Sequence, residues 1–428
     1  MYYPRILTFA HPSELADEVA TIESYAEGVE RMVGKGSWRI IRISGVAATH
    51  AMILKQELLA LDGDALVSPE VYLGNRDRGT DALIFASLRQ LHELIARFRR
   101  LPLPALQRLA DELETTLQAY DAMVRDTLII AGRSFSWGQR TYLMADLSPT
   151  AHQFRGNGLS TDHDHTTVMV HQALQAAEAG ADLLDVGDIL LSSPVASRSI
   201  EQMTERLAQF ITTLSQETNL PIAIRSYRLE TTMAALQAGA HIVIDSHGLR
   251  LDDDWHESLA ALIAARHIPL ILAPGEPQAH GIHQPRLTGS DQTQATPATL
   301  HPSAVMHDLF SRLQASITYA ATQGIHRSQL LLDPLGGVLH TPSHTPVVLQ
   351  RLAELRSLGQ PILIDVAHML KDMAPQRLLT EPDHEKQAAL MTLAIQRGAD
   401  IIRLPQIQEH HTRTAHLLDT LVRPESKQ

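Results

Sequence analysis

Gly180-Ala181-Asp182-Leu183-Leu184-Asp185-Val186 decides how this chain is read, because the phrase returns twice. The second copy is Gly239-Ala240-His241-Ile242-Val243-Ile244-Asp245, and the third is Gly398-Ala399-Asp400-Ile401-Ile402-Arg403-Leu404. Each follows an Ala/Gln-rich helical run and ends its apolar stretch on a polar side chain. Glycine takes the left-handed conformation that ends a helix, and the alanine after it lets the chain turn closely into a strand. The β-branched-rich run that follows has the length of a strand buried on both faces. Helix, tight turn, buried strand and polar tip form the unit of a parallel α/β fold.

Working outward, strands are expected near residues 141–147, 182–186, 221–225, 241–245, 269–273, 329–333, 361–365 and 400–404. Helices fall between them, for example over 166–179, 200–216, 230–238 and 303–323. Strands and helices in that number and order predict a (β/α)8 TIM barrel. A doubly wound open sheet is the alternative, disfavoured by the strand count and by the lack of a Gly-rich dinucleotide loop. Residues 1–132 lack this rhythm and read as a smaller N-terminal α/β domain. Its strands are expected at 5–10, 38–44 and 81–87, with helices over 13–33, 47–61, 88–99 and 104–124. The polar stretch 133–140 reads as the start of a second domain spanning 138–423.

Composition narrows the function. A chain of 428 residues has room for one large domain and a smaller one, or for two of ordinary size. A net charge of -12 implies no basic face, which argues against nucleic acid as a partner held by general electrostatics. The absence of cysteine excludes disulfides and thiolate metal sites. Met1-Tyr2-Tyr3-Pro4-Arg5 has no signal pattern and no apolar run is long enough to span a bilayer, so no membrane partner and a cytoplasmic location are expected.

In a barrel, function sits at the C-terminal ends of the strands. The last polar residues of the expected strands are Asp146, Asp185, Arg225, Asp245, Asp333, Asp365 and Arg403. Such a mixed-sign mouth suits a polar heterocycle, and paired charges there are equally often structural. Asp162-His163-Asp164-His165, with His152 upstream, offers ligand types for Zn2+ or another transition metal. That makes a metal-dependent barrel enzyme one alternative; the plain reading of the same residues is a solvated helix N-terminus. His340, His344 and the pair His410-His411 are assigned no role, since loop histidines are usually surface residues. The aperiodic stretch 274–299 reads as a mobile loop over the barrel mouth.

The strand tips also carry a family pattern. Thr141-Tyr142-Leu143-Met144-Ala145-Asp146-Leu147-Ser148-Pro149, Gly180 through Gly187, Pro221-Ile222-Ala223-Ile224-Arg225, Ala238 through Asp245, Leu331-Leu332-Asp333-Pro334 and Gly398 through Arg403 together resemble dihydropteroate synthase. Enzymes of that family join a hydroxymethyl-pterin pyrophosphate to para-aminobenzoate in folate biosynthesis. The resemblance covers about residues 138–423, and residues 53–65 look like the N-terminal extension of a long-chain subset.

The resemblance implies a transferase in which Asp333 pairs with a pterin-like heterocycle, Arg403 holds the diphosphate and Asp146 holds Mg2+. It places Asp185, Arg225, Asp245 and Lys371 among the substrate contacts and implies a homodimer built through barrel helices. The sequence departs from the family at several of these points. Asp146 stands for an Asn, Arg225 for an Asp and Ile244 for an Asn. Ala367-His368-Met369 replaces Ser-Arg-Lys, with Lys371 two positions on, and Arg403-Leu404-Pro405 replaces Arg-Val-His. Ile189 through Pro194 replaces Glu-Ser-Thr-Arg-Pro. A catalytically degenerate relative that acts by binding or by partnering an active synthase is therefore the main rival reading.

Overall fold

The computed structural model describes residues 5–9, 11–22, 26–72, 79–147, 162–187, 199–226, 228–249, 254–275, 301–337, 341–373 and 384–423. They form two compact units, Met1–Asp121 and Ala122–Gln428. Among the described residues no helix is long and apolar enough to cross a membrane.

The first unit carries three antiparallel strands, β1 (Trp38–Ala47), β2 (Asp64–Val67) and β3 (Gly79–Ser87), in the order β1-β3-β2. Helices Ala48–Leu59, Leu88–Arg100 and Pro104–Asp121 pack Leu54, Leu58, Leu91, Leu94, Phe98 and Leu106 into one core with Ile84 of β3. Ser87 opens the second of these helices with a capping box shared with Gln90, so two of its orphan amide groups are satisfied at once. Two expectations fail here. Residues 5–9 are exposed and form no strand, because none of their apolar side chains finds a face to bury. The helix expected over 13–33 is two, Pro12–Ala20 and Ala26–Gly36. β2 escaped the sequence reading, being four residues long and too short to display a period.

The second unit opens with a hairpin, β4 (Thr127–Ile130) and β5 (Arg133–Ser136). Eight parallel strands follow: β6 (Tyr142–Asp146), β7 (Leu183–Asp185), β8 (Ile222–Arg225), β9 (Ile242–Asp245), β10 (Leu270–Leu272), β11 (Leu330–Leu332), β12 (Leu363–Asp365) and β13 (Ile401–Leu404). Their order, β11-β10-β9-β8-β7-β6-β13-β12, runs around a barrel, and a bridge between Leu332 and Ile362 nearly closes it. Each strand lies within a residue or two of its expected place.

Alternate strand residues build two cores, as a sheet covered on both faces requires. Met144, Leu183, Ala223, Ile242, Ile244, Ile271, Leu331, Leu363 and Ile401 fill the barrel interior. Leu143, Leu184, Ile224, Val243, Leu332, Ile364 and Ile402 face the surrounding helices. The stretch 133–140, expected only as a polar start, supplies Phe135 and Trp137 to the interior cluster beside Tyr142. Phe135 and Trp137 stack at 5.6 Å between ring centroids, and Trp137 meets the edge of Tyr142 at 5.2 Å.

The three Gly-Ala copies are built alike. Gly180, Gly239 and Gly398 all have positive φ, at 96°, 115° and 99°. The following alanines reach back across the helix end, from Ala181 N to Ala176 O, Ala240 N to Ala235 O and Ala399 N to Ala394 O, at 2.9–3.0 Å. This is the Schellman closure, which uses up carbonyls the helix leaves unpaired. The third residue of each copy does something the pattern did not reveal. Asp182, His241 and Asp400 each accept a main-chain N–H at the start of the neighbouring strand, from Leu143 at 2.9 Å, Ile222 at 3.4 Å and Ile362 at 3.0 Å. Asp182 is also held by Arg140 at 2.6 Å, and Asp400 by Arg125 at 2.9 Å. Burial holds the His241 pKa below its ordinary value and so favours the neutral ring.

A Cβ at position 239 would lie 2.9 Å from Ser215 Cβ and would force a left-handed alanine. Gly239→Ala is expected to destabilise the protein by about 1–2 kcal/mol, read as a lower urea midpoint at unchanged slope; an unchanged midpoint would show that the left-handed closure contributes nothing.

Candidate functional site

The C-terminal ends of the barrel strands bring polar side chains together because adjacent tips are in register. Asp146 pairs with Asp185 between β6 and β7, and Asp365 pairs with Arg403 between β12 and β13. From that register Arg403 reaches three carboxylates. Its Nε and Nη2 donate to Asp365 Oδ2 at 3.1 and 2.8 Å, and its Nη1 donates to Asp185 Oδ2 at 3.0 Å. Its Nη2 lies 3.4 Å from Asp333 Oδ2, an ion pair without a hydrogen bond. Arg403, Asp185 and Asp333 are all buried, which leaves this charge cluster little screening by water.

Asp185 is fully committed. Its Oδ1 accepts the Gly187 amide at 2.7 Å, and its Oδ2 also accepts Arg225 Nη2 at 3.2 Å. Arg225 is half-buried, with a quarter of its side chain (27%) exposed at the mouth. Arg225 has five guanidinium N–H groups, and among the described residues one of them is spent, on Asp185. Asp245 turns inward to its own loop, accepting the His247 amide at 3.0 Å and the Leu249 amide. Leu249 has a φ of 56°, so Asp245 holds a strained turn rather than facing the mouth.

Asp333 differs from every other acid in the cluster. It is 1% exposed, yet among the described residues neither carboxylate oxygen has a hydrogen-bond partner. A Cβ on Gly336 would sit 2.3 Å from Asp333 Oδ2, so only glycine admits the loop this close. Burial pushes the Asp333 carboxyl pKa up, and Arg403 and Arg225 offset this only in part. For Asp365 the balance is opposite: against the cost of burial, Arg403 and the His368 amide, at 2.9 Å, hold its pKa below the ordinary carboxylate value.

The remaining sequence candidates are dispersed. Asp146 is half-buried and contributes to the negative field around Arg403. Lys371 is exposed in the last turn of the helix Val366–Met373. Ile244 and Met369, at two positions where the resemblance implies polar contacts, are buried in the apolar cores. Asp365 is legible in the sequence as a strand tip, but its pairing with Arg403 joins residues 38 apart, which no local spacing reveals. His152, the stretch Ile189 through Pro194 and residues 276–300 lie outside the described residues, as do the side chains of Asp162 through His165. The helix Asp162–Glu178 does begin at the first of those four.

The family described as pterin binding enzyme matches residues 156–405, more than half of the chain. A dihydropteroate synthase of Synechocystis is 28% identical over 280 residues, covering 64% of this chain and 88% of that protein. A probable bifunctional folylpolyglutamate synthase/dihydropteroate synthase of Halobacterium salinarum is 28% identical over 386 residues, covering 90% of this chain but 43% of that longer protein. Among solved structures, a dihydropteroate synthase from Xanthomonas albilineans in complex with 7,8-dihydropteroate superimposes with a TM-score of 0.52 at 23% identity, over 69% of this chain and 98% of that one. At that identity the likeness speaks for the fold.

The shifted carboxyls predict opposite pH effects. The raised Asp333 pKa means the native state holds a proton that the unfolded chain releases, so stability is lost as pH rises from the unfolded value through the native one. Asp365, lowered, contributes stability above its unfolded pKa that is lost as pH falls through the native one. Asp333→Asn is therefore expected to flatten the decline in urea stability as pH rises above the ordinary carboxylate range, relative to wild type. Parallel pH profiles of the two proteins would contradict a carboxyl pKa raised by burial.

Proposed function

The chain belongs to the pterin-binding enzyme family, and from that premise we propose that it is a dihydropteroate synthase-type transferase with an altered pterin pocket. The observation that carries the reading is Asp333, a buried carboxyl whose two oxygens have no hydrogen bond among the described residues. Leaving such a group unpaired costs on the order of 1–3 kcal/mol, a cost a bound heterocycle with paired N–H donors would remove. Arg403 and Asp365 fix that carboxyl's surroundings. With three carboxylates around it, Arg403 acts here as a positioning residue, and the partly exposed Arg225 is the guanidinium better placed to meet an acceptor group of the ligand.

In the proposed reaction the amine of para-aminobenzoate attacks the exocyclic methylene carbon of the pterin. The carbon–oxygen bond to diphosphate breaks, the diphosphate leaves with the bonding pair, and the amine loses a proton. No covalent enzyme intermediate is needed, so the residues act by placing the two reactants and stabilising the departing charge. The donor set suits Mg2+, since the mouth offers carboxylate oxygens and this ion takes one or two carboxylates together with substrate phosphates. Asp146, half-buried beside Asp185 in the register, is the residue that would hold it. Bound there, the ion would neutralise the diphosphate charge.

A second reading is favoured by Ile244 and Met369, whose burial in apolar packing leaves those two positions without a polar group for a substrate. On that reading the barrel binds a pterin and does not turn it over. The test is incubation of the full chain with hydroxymethyl-dihydropterin pyrophosphate, para-aminobenzoate and Mg2+, following pteroate by chromatography and pterin binding by fluorescence. The transferase reading expects product, with Asp333→Asn weakening pterin binding by about 10–100-fold. Binding without product supports the second reading, and no binding by wild type sinks both.

A further inference from the structure

Three histidines that take no part in the barrel-mouth cluster converge from two helices. His384 opens the helix His384–Gln396, which leads into β13, and His410 and His411 lie in the first turn of Glu409–Val422, which follows it. Ring centroids of His410 and His411 are 3.9 Å apart, and His384 meets His410 edge to face at 4.9 Å. One ligating nitrogen from each ring lies within 4.8 Å of the others. We propose that His384, His410 and His411 form a Zn2+ site that pins together the two helices flanking β13 in the chain.

The donor chemistry selects the ion. Three imidazoles, with no thiolate and no carboxylate in the group, suit Zn2+ and its borderline neighbours rather than Mg2+ or Ca2+. Tetrahedral Zn–N bonds of about 2.0–2.1 Å put ligand nitrogens roughly 3.4 Å apart. The rings therefore have to close by at most about 1.4 Å from the 4.8 Å limit, within the range of a side-chain adjustment for the exposed His384. Three protein ligands leave a fourth position for water.

Two further features point the same way. His410 Nε2 is buried and makes no hydrogen bond among the described residues. His411, 1% exposed, has its tautomer set by its neighbours. The Gln408 amide can only donate, so His411 Nδ1 accepts it at 3.1 Å, and Nε2 carries the proton toward Gln387 Oε1 at 3.1 Å. A metal at Nδ1 would take over the lone pair now used by the amide, while the Nε2–H bond to Gln387 remains. A ligand histidine whose other N–H is held by a side-chain oxygen is the usual support for a metal site. The helix N-terminus opposes a cation, and the Glu409 carboxylate in the same turn offsets part of that field.

The experiment is a titration of chelator-stripped full-length protein with Zn2+ against a chromogenic competitor, repeated with Co2+ as a spectroscopic probe. One tight equivalent is expected, with the strong visible bands of four-coordinate Co2+. His384→Ala and His410→Ala should each weaken Zn2+ binding at least tenfold, and Gln387→Ala should weaken it about 10–100-fold. Zn2+ should also raise the melting temperature of wild type and not that of His384→Ala, whose exposed side chain leaves no cavity behind. Equal Zn2+ affinity in wild type and His384→Ala, or a pale six-coordinate Co2+ spectrum, would overturn the site, since either marks scattered surface histidines.

Discussion

One buried cation organises the top of this barrel. Arg403 binds Asp365 and Asp185 and lies beside Asp333, joining β13 to the tips of strands on both sides of it. Burying these charges is costly, and it is tolerated because the carboxylates surround the guanidinium within 3.4 Å. Taking one partner from such a cluster typically costs about 3–5 kcal/mol, because the groups left behind are charged and buried. The register between Asp365 and Arg403 is therefore an electrostatic constraint as well as a hydrogen-bonding one.

That constraint explains why the acids differ. Asp185 and Asp365 are saturated by guanidinium and amide donors, and Asp245 is spent on its own turn. Arg403 directs its hydrogen bonds to Asp365 and Asp185, and among the described residues Asp333 is the acid left with proximity and no bond. An acid in that position acquires a raised pKa and an unmet capacity for hydrogen bonds. The polar site and the barrel's charge balance are thus one arrangement. Arg225, where the family resemblance implies an Asp, joins it through Asp185 and adds positive charge at the exposed edge.

The barrel was legible because its determinants are local. Gly180, Gly239 and Gly398 each close a helix within a few residues, and each is followed directly by a buried strand. What the sequence concealed was work done across strands. The role of Asp182, His241 and Asp400 as acceptors for a neighbouring strand depends on register, which no stretch of the chain displays alone. Asp365 and Arg403 were visible as tips, while their pairing was not. The expected strand over 5–10 failed for the opposite reason, an apolar run with no surface to bury it. His410 and His411 read as surface residues until the fold put His411 inside and His384 beside them.

The central claim is that Asp333 is kept unpaired for a pterin-like ring while Arg403 is held by its other acids. A crystal structure of the chain with a bound pterin tests it most directly. The account predicts both Asp333 oxygens within about 3 Å of ring N–H donors, with the Arg403 bonds to Asp185 and Asp365 unchanged. A pterin seated away from Asp333, or Arg403 drawn out of its carboxylates to contact the ligand, would contradict it.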